Sequence, residues 1–196
     1  MAAPRESVQT GFAIRGVKTM KYALIYGLLS GLVVSGVIVA GLAIGGHESG
    51  IFGTIWFGYL VMLVALTFIF VGVKRYRDVE RGGVIRFLPA FGMGLGIAIC
   101  TGIAYACVWE IYLASTGYHF MDEYIAAIVR HRQAEGASAA EIARVTADME
   151  SMRTSYANPL FRFPMTFMEI FPVGLLVALV SAALLRNPRL LPATRG

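Results

Sequence analysis

The chain has 196 residues, of which 57% are hydrophobic and only 15% are charged, and its mean hydropathy is +0.68. This composition excludes a soluble globular domain of this length, because too little polar surface remains to cover its core. The net charge of +5 does not indicate nucleic-acid binding, since the basic residues collect at the ends of apolar blocks.

Four long apolar blocks dominate the sequence: Tyr22–Ile44, Ile51–Val73, Phe87–Leu113 and Leu160–Leu185. At a rise of ~1.5 Å per residue, each block spans the ~30 Å hydrocarbon layer as a helix. The blocks lack the period-2 alternation of barrel strands. We therefore predict an all-α, polytopic membrane protein with four transmembrane helices, at residues 18–188, and no nucleic-acid partner.

The distribution of Lys and Arg predicts the orientation of these helices. Most of the basic residues lie before the first block, after the second block and at the C-terminus. The positive-inside rule then places both termini in the cytoplasm. We expect a flexible cytoplasmic tail at 1–17, a second cytoplasmic tail at 189–196, and an outward-facing segment at 116–159. The first block is longer than the ~7–15 residues of a signal-peptide core, so we expect a retained anchor.

The first block carries a row of small residues at intervals of four, Gly27, Gly31 and Ser35. Such a row lets another helix approach closely. Packing within the bundle is favoured over a homodimer contact. The Gly45–Gly50 link after this block predicts a tight turn that makes the first two helices antiparallel.

Basic residues follow the second block, in a run that includes Lys74, Arg75, Arg77 and Arg81. The run resembles a docking patch for lipid or protein, but topology alone already requires basic residues there. In either case we expect contact with anionic lipid headgroups at the cytoplasmic face. Aromatic residues near the block ends, among them Trp109 and Tyr76, are typical of an interfacial belt.

The third and fourth blocks carry matching rows of small residues. In the third block the row leads to an acid, and in the fourth block two prolines flank another acid, Glu169, where they are expected to distort the helix. The rows are Gly94, Ala98, Gly102 and Ala106, which precede Glu110, and Gly174, Ala178 and Ala182. We expect the two helices to pack through these rows.

The segment at 116–159 predicts a helical hairpin. Apolar residues at helical spacing begin at Met121, Gly136 is a helix stop, and Ser138 with Glu141 forms a capping box. A second stripe follows at Ile142, Val145, Met149, Met152 and Tyr156 and must be covered. We expect this periplasmic hairpin to lie on the outer face of the bundle and to end at Asn158-Pro159.

Two acids, Glu110 and Glu169, lie inside the membrane blocks at similar depths, and Arg162 is about two turns from Glu169. An ionised acid at the membrane centre costs at least ~2.5–3.5 kcal/mol. Three interpretations stay open: a structural lock with Arg162 or backbone, a protonatable site in a transport path, and a cation site of two carboxylates. The first is favoured, as a buried polar cluster.

No other set of residues predicts chemistry. His119, Asp122 and Glu123 share a helix face, but no fourth metal ligand is evident and a solvated helix cap explains them. The sequence has no nucleotide loop, zinc-protease helix, nucleophile elbow or dinucleotide fingerprint. We therefore predict no metal site, no cofactor and no enzymatic activity.

The chain resembles a bacterial membrane protein family catalogued as domain of unknown function 4199, over about Lys18–Pro188. The residues that carry the likeness are Phe70–Asp78, Gly82-Gly83, Tyr105, Trp109–Tyr112, Thr166, Glu169 and Pro172–Gly174. The resemblance implies a cytoplasmic loop motif that joins two membrane helices, at Lys74, Tyr76, Arg77 and Asp78, and acids in the last two helices. It also implies a bacterial inner-membrane location and assigns no activity.

The function expected from these residues is a structural or interaction subunit of the inner membrane, with a membrane-protein partner or a second copy of the chain. The alternative is a small proton- or cation-coupled carrier that uses Glu110 and Glu169.

Overall fold

Six helices make up the computed structural model, which describes residues 5–45 and 55–193, with side chains at 16–42 and 56–193. The described residues contain no strand. The helices are α1 (Arg5–Gly45), α2 (Ile55–Glu80), α3 (Phe87–Ser115), α4 (Phe120–Ala134), α5 (Ala139–Tyr156) and α6 (Pro159–Leu185). Four of them, α1, α2, α3 and α6, are long and apolar enough to cross a membrane.

The four long helices contact one another, and this group of helices is called the bundle below. The α3 helix packs against both α1 and α6. Gly31 of α1 faces Ala104 and Thr101 of α3, and Gly94 of α3 faces Ala178 of α6. A Cβ atom added at Gly31 would lie 2.6 Å from that of Ala104, and one added at Gly94 would lie 2.9 Å from that of Ala178. The small residues therefore set the helix spacing, and packing within the bundle, predicted for the first row, is confirmed.

The core lies between all four long helices. Its fully buried apolar residues include Leu66, Ile69, Met93, Ile97 and Ile170. The α1 helix is attached to α2 by a hydrogen bond from the Ser30 hydroxyl to the Ala65 carbonyl, at 2.9 Å. The turn predicted between α1 and α2 lies outside the described residues.

Two predicted boundaries differ from the structure. The α1 backbone is helical from Arg5, within the segment predicted as a tail, since no proline or paired glycine interrupts the chain after Pro4. The α2 helix continues to Glu80, past the predicted end at Val73. It stops where Gly82 and Gly83 adopt positive φ angles of 62° and 86°. The division into tails and one domain stays a prediction.

The predicted hairpin is present as α4 and α5. Gly136 has a φ of +80° after α4, and the Ser138 hydroxyl accepts a hydrogen bond from the Glu141 N–H at the start of α5. Asn158 caps α6 in the same way. The apolar stripe of α5 is only partly covered, because α5 has no buried residue and Met152 is 37% exposed. Within this chain the stripe is therefore covered only in part, and the cover for the rest stays a prediction.

Candidate functional site

A bidentate ion pair joins α3 to α6 near the hairpin end of the bundle. The Arg162 Nε and Nη2 atoms donate to the two carboxylate oxygens of Glu110, at 2.7 and 2.5 Å. The Arg162 side chain is 3% exposed and that of Glu110 is 25% exposed. Two parallel N–H···O bonds fix both the distance and the orientation of the partners.

The remaining face of the Arg162 guanidinium contacts α5 and the turn after α3. Its Nη1 atom donates to the Tyr156 carbonyl at 2.9 Å. Its Cζ atom lies 5.3 Å from the Tyr118 ring centre and 5.6 Å from the Tyr156 ring centre. One side chain therefore connects α3, α5 and α6, through three nitrogen atoms and two tyrosine rings.

Trp109 completes this cluster. Its indole N–H donates to the Tyr156 hydroxyl at 2.6 Å, and its ring packs edge-on against Phe120 of α4, with 4.9 Å between ring centres. Trp109, expected in an interfacial aromatic belt, is 8% exposed, so its ring packs inside the protein. Thr101, Tyr105 and Trp109 follow one another at intervals of four on α3, and all three are buried. That spacing was the sequence signal for the role of Trp109.

The local sequence explains why these groups meet. Asn158 and Pro159 start α6, so Arg162 falls in its first turn, where its N–H donates to the Asn158 carbonyl at 3.0 Å. Glu110 lies in the last turns of α3, which ends at Ser115, shortly before Gly117 adopts a φ of +65°. Antiparallel packing of the two helices then places the end of one beside the start of the other.

Glu169 does not join this pair. The Tyr105 hydroxyl of α3 donates to Glu169 Oε2 at 3.3 Å, and part of the Glu169 side chain is exposed. The described residues give it no contact with Glu110 or Arg162. The cluster expected from three residues therefore consists of Glu110 and Arg162, with Glu169 and Tyr105 as a separate pair deeper in the helices.

Four residues predicted as a loop lie in the last two turns of α2. Asp78 accepts from Lys74 Nζ at 2.6 Å and from Arg77 Nε at 2.7 Å. Arg77 has no exposed surface, and its Nη1 and Nη2 atoms donate to the carbonyls of Leu190 and Leu191, at 3.1 and 2.5 Å. These residues attach the segment after α6 to the end of α2. The loop assignment was wrong, because Lys74 and Asp78 pair at the i, i+4 spacing of a helix.

The fourth member of this group, Tyr76, contacts α1. Its hydroxyl lies 3.1 Å from the Thr19 hydroxyl and accepts from Arg81 Nε and Nη2, at 3.2 and 3.0 Å. Its ring packs edge-on against Tyr22 at 5.6 Å. Tyr76 is 4% exposed, so it too lies in the bundle rather than in a lipid-facing belt.

A cavity of about 280 Å³ opens beside Arg162, between the hairpin and the bundle. Tyr118 and Tyr156 line it, and Arg153 and Asp122, whose side chains lie 3.3 Å apart, cross it from α5 to α4. Within the described ranges, no three His, Cys, Asp or Glu side chains are grouped to hold a metal ion. Together, the contacts of Arg162 hold the helices to one another, and the charged side chains of Arg153 and Asp122 lie where the hairpin meets the bundle.

Comparison with protein-family models gives a match at residues 21–187, to the family described as protein of unknown function (DUF4199). Searches of the curated proteins and of the solved structures find no match.

Proposed function

Because the chain belongs to that family of unknown function, we propose its role from its own geometry: a structural or interaction subunit of a membrane assembly. In this proposal the Glu110–Arg162 pair fixes α6 against α3 and sets the position of the α4–α5 hairpin. The hairpin then presents its partly covered face to a partner protein. Four helices that are long and apolar enough to cross a membrane fit this role.

The observation that carries the proposal is the set of contacts of Arg162. A guanidinium that is 3% exposed and held through three nitrogen atoms by Glu110 and the Tyr156 carbonyl suits a fixed contact better than exchange during transport. Removing one member of a buried pair leaves the other charge uncompensated and costs ~3–5 kcal/mol. Such a pair is suited to holding elements in place.

The hairpin supports the interaction part of the proposal. The apolar side chains of Ile142, Val145 and Met149 are only half-buried, and Met152 and Tyr124 are 37% and 41% exposed. Exposed apolar residues at helical spacing are typical of a surface that another protein covers.

One experiment separates a subunit from a carrier. Purified wild type, Glu110→Gln and Glu169→Gln are reconstituted in vesicles, and proton and cation flux are measured beside thermal unfolding in detergent. We expect no flux from wild type and a lower melting temperature for Glu110→Gln than for Glu169→Gln. Wild-type flux that disappears in variants as stable as wild type contradicts the proposal.

A second experiment tests the hairpin face. A photocrosslinking amino acid at Met152, on the apolar stripe, is compared with one at Ser151, on the exposed polar side of the same helix. We expect one adduct of defined mass from position 152 and none from position 151. Equal adducts from both positions, or none from either, count against a partner surface on the hairpin.

One observation favours the second candidate, a proton- or cation-coupled carrier. In the described part of the chain Glu169 has a hydroxyl as its hydrogen-bond partner and no cation, although it lies about three turns inside α6. An acid in such a position can exchange a proton. The flux measurement above decides between the two functions.

We further propose that the protein lies in a bacterial inner membrane with both termini in the cytoplasm. The N-terminal part of α1, the segment after α6 and the basic end of α2 share one end of the bundle, and the hairpin lies at the other. Under the positive-inside rule the basic end faces the cytoplasm, and its Lys and Arg side chains contact anionic headgroups.

A further inference from the structure

A second cavity lies between α1 and α3 at the end of the bundle where α2 stops. Its volume is about 470 Å³, within the ~300–1,000 Å³ of ordinary ligand sites. Gly92 and Gly96 of α3 open its wall, and a Cβ added at Gly92 would meet nothing within 4 Å. The cavity is independent of the hairpin and of the Glu110–Arg162 pair.

The lining changes from polar to apolar along the helix axes. Arg81 and Thr19 lie at the end of the bundle, beside the C-terminus of α2. Ala23 and Met93 lie further along α1 and α3, toward the middle of the helices. In a membrane this order places the charged part at headgroup depth and the apolar part among acyl chains.

Arg81 supplies a positioned charge that no acid in the described structure neutralises. Its Nε and Nη2 atoms bind the neutral Tyr76 hydroxyl, at 3.2 and 3.0 Å, and its Cζ atom lies 5.4 Å from the Tyr76 ring centre. The bases around it differ: Lys18 is paired with Glu80 at 2.8 Å, and Lys74 with Asp78 at 2.6 Å. The guanidinium is therefore held at the mouth of the cavity with a full charge available for an anion.

We propose that this cavity binds one anionic phospholipid, with its phosphate at Arg81 and one acyl chain against Ala23 and Met93. Charge complementarity selects an anionic headgroup, and the apolar depth of the cavity selects a lipid over a soluble phosphate. This is a single defined site, in contrast to the diffuse attraction that every basic residue at this end exerts on the membrane surface.

The test uses the purified full-length protein in detergent, with phosphatidylglycerol and phosphatidylcholine of the same acyl chains, followed by native mass spectrometry. We expect one phosphatidylglycerol to bind about five-fold more tightly than phosphatidylcholine, as one basic contact provides. Arg81→Gln abolishes this preference and Arg81→Lys, which keeps the charge, retains part of it. The matched control Arg86→Gln, at an exposed base of the same link outside the cavity, leaves it unchanged.

A second pair of variants tests the cavity itself. Gly92→Leu fills it and weakens binding of both lipids several-fold, whereas Gly36→Leu, at an equally open glycine on α1 outside the cavity, has no effect. Equal losses from Arg81→Gln and Arg86→Gln overturn the proposal, since diffuse attraction then explains the binding. Unchanged binding in Gly92→Leu, or displacement of the lipid by equimolar inorganic phosphate, overturns it as well.

Discussion

At the scale of single residues, Arg162 connects α6 to α3, to α5 and to the turn after α3 at the hairpin end of the bundle. Three of its nitrogen atoms have protein acceptors and its face lies against two tyrosine rings. Lysine has a point charge and no planar fork, so it cannot reproduce the two parallel bonds to Glu110. Position 162 therefore requires the planar guanidinium of arginine as well as a positive charge.

Tyr156 offers a test of the same cluster by pH. Burial raises the pKa of Tyr156 above the ordinary tyrosine value of 10.0, although the Trp109 hydrogen bond and the Arg162 charge lower it in part. The folded-state pKa of Tyr156 is higher than its unfolded-state pKa. The contribution of the protonated Tyr156 hydroxyl to folding stability is therefore complete below the unfolded-state pKa and is lost as the pH rises through the folded-state pKa.

The measurement is the tyrosinate absorbance of wild type minus that of Tyr156→Phe during an alkaline titration. We expect the difference signal to appear at a higher pH than for free tyrosine. A signal at the ordinary pH, with the protein still folded, means that Tyr156 is solvated and the cluster is open.

The pairing of Glu110 with Arg162 could be predicted from sequence, but the place of Glu169 could not. Depth along each helix follows from counting residues, and this correctly brought Arg162 within reach of an acid. The direction of a side chain depends on rotation, which advances about 100° per residue. Glu169 lies seven residues after Arg162 and so nearly on the same face of α6, and only the register of α3 against α6 places Tyr105, rather than Glu110 or Arg162, beside it.

At the scale of elements, the small-residue rows determine how closely the helices approach. These rows were readable from sequence because an interval of four residues keeps one face of a helix free of large side chains. The end of α2 was not readable in the same way. The charged sequence of its last turns resembles a loop. The Lys74–Asp78 pair and the contacts of the buried Arg77 stabilise these turns as a helix.

A glycine pair tests the role of these rows. In Gly31→Ala the new Cβ lies 2.6 Å from Ala104 Cβ and 3.0 Å from the Thr101 carbonyl oxygen, so α1 must shift away from α3. We expect a loss of ~1–3 kcal/mol in the free energy of unfolding. Gly36→Ala, whose Cβ meets nothing within 4 Å, is the control and is expected to be neutral or stabilising. Equal effects of the two variants rule out close packing at Gly31.

At the scale of the whole molecule, the two ends of the bundle differ in charge and in content. One end carries the basic residues of α2 and of the segment after α6, and the other carries the hairpin, which contains both acids and bases. Hydropathy and block length were sufficient to predict this arrangement, because in lipid a backbone must satisfy its own hydrogen bonds as helices. Which side each end faces depends on the membrane, and stays a prediction.

Cysteine labelling in intact cells tests that orientation. In a background with Cys100 and Cys107 changed to Ser, Ala137→Cys lies between α4 and α5, and Pro188→Cys follows α6 at the opposite end. We expect a membrane-impermeant thiol reagent to label position 137 in intact cells and position 188 only after lysis. The reverse pattern inverts the proposed topology.

The central claim is that the Glu110–Arg162 pair locks α3 to α6, and a double-mutant cycle tests it most directly. The free energies of unfolding in detergent are measured for wild type, Glu110→Gln, Arg162→Gln and the double variant. We predict a coupling energy of at least ~1 kcal/mol between the two positions, in the range found for residues in direct contact. Effects that add to within ~0.3–0.5 kcal/mol would contradict the account.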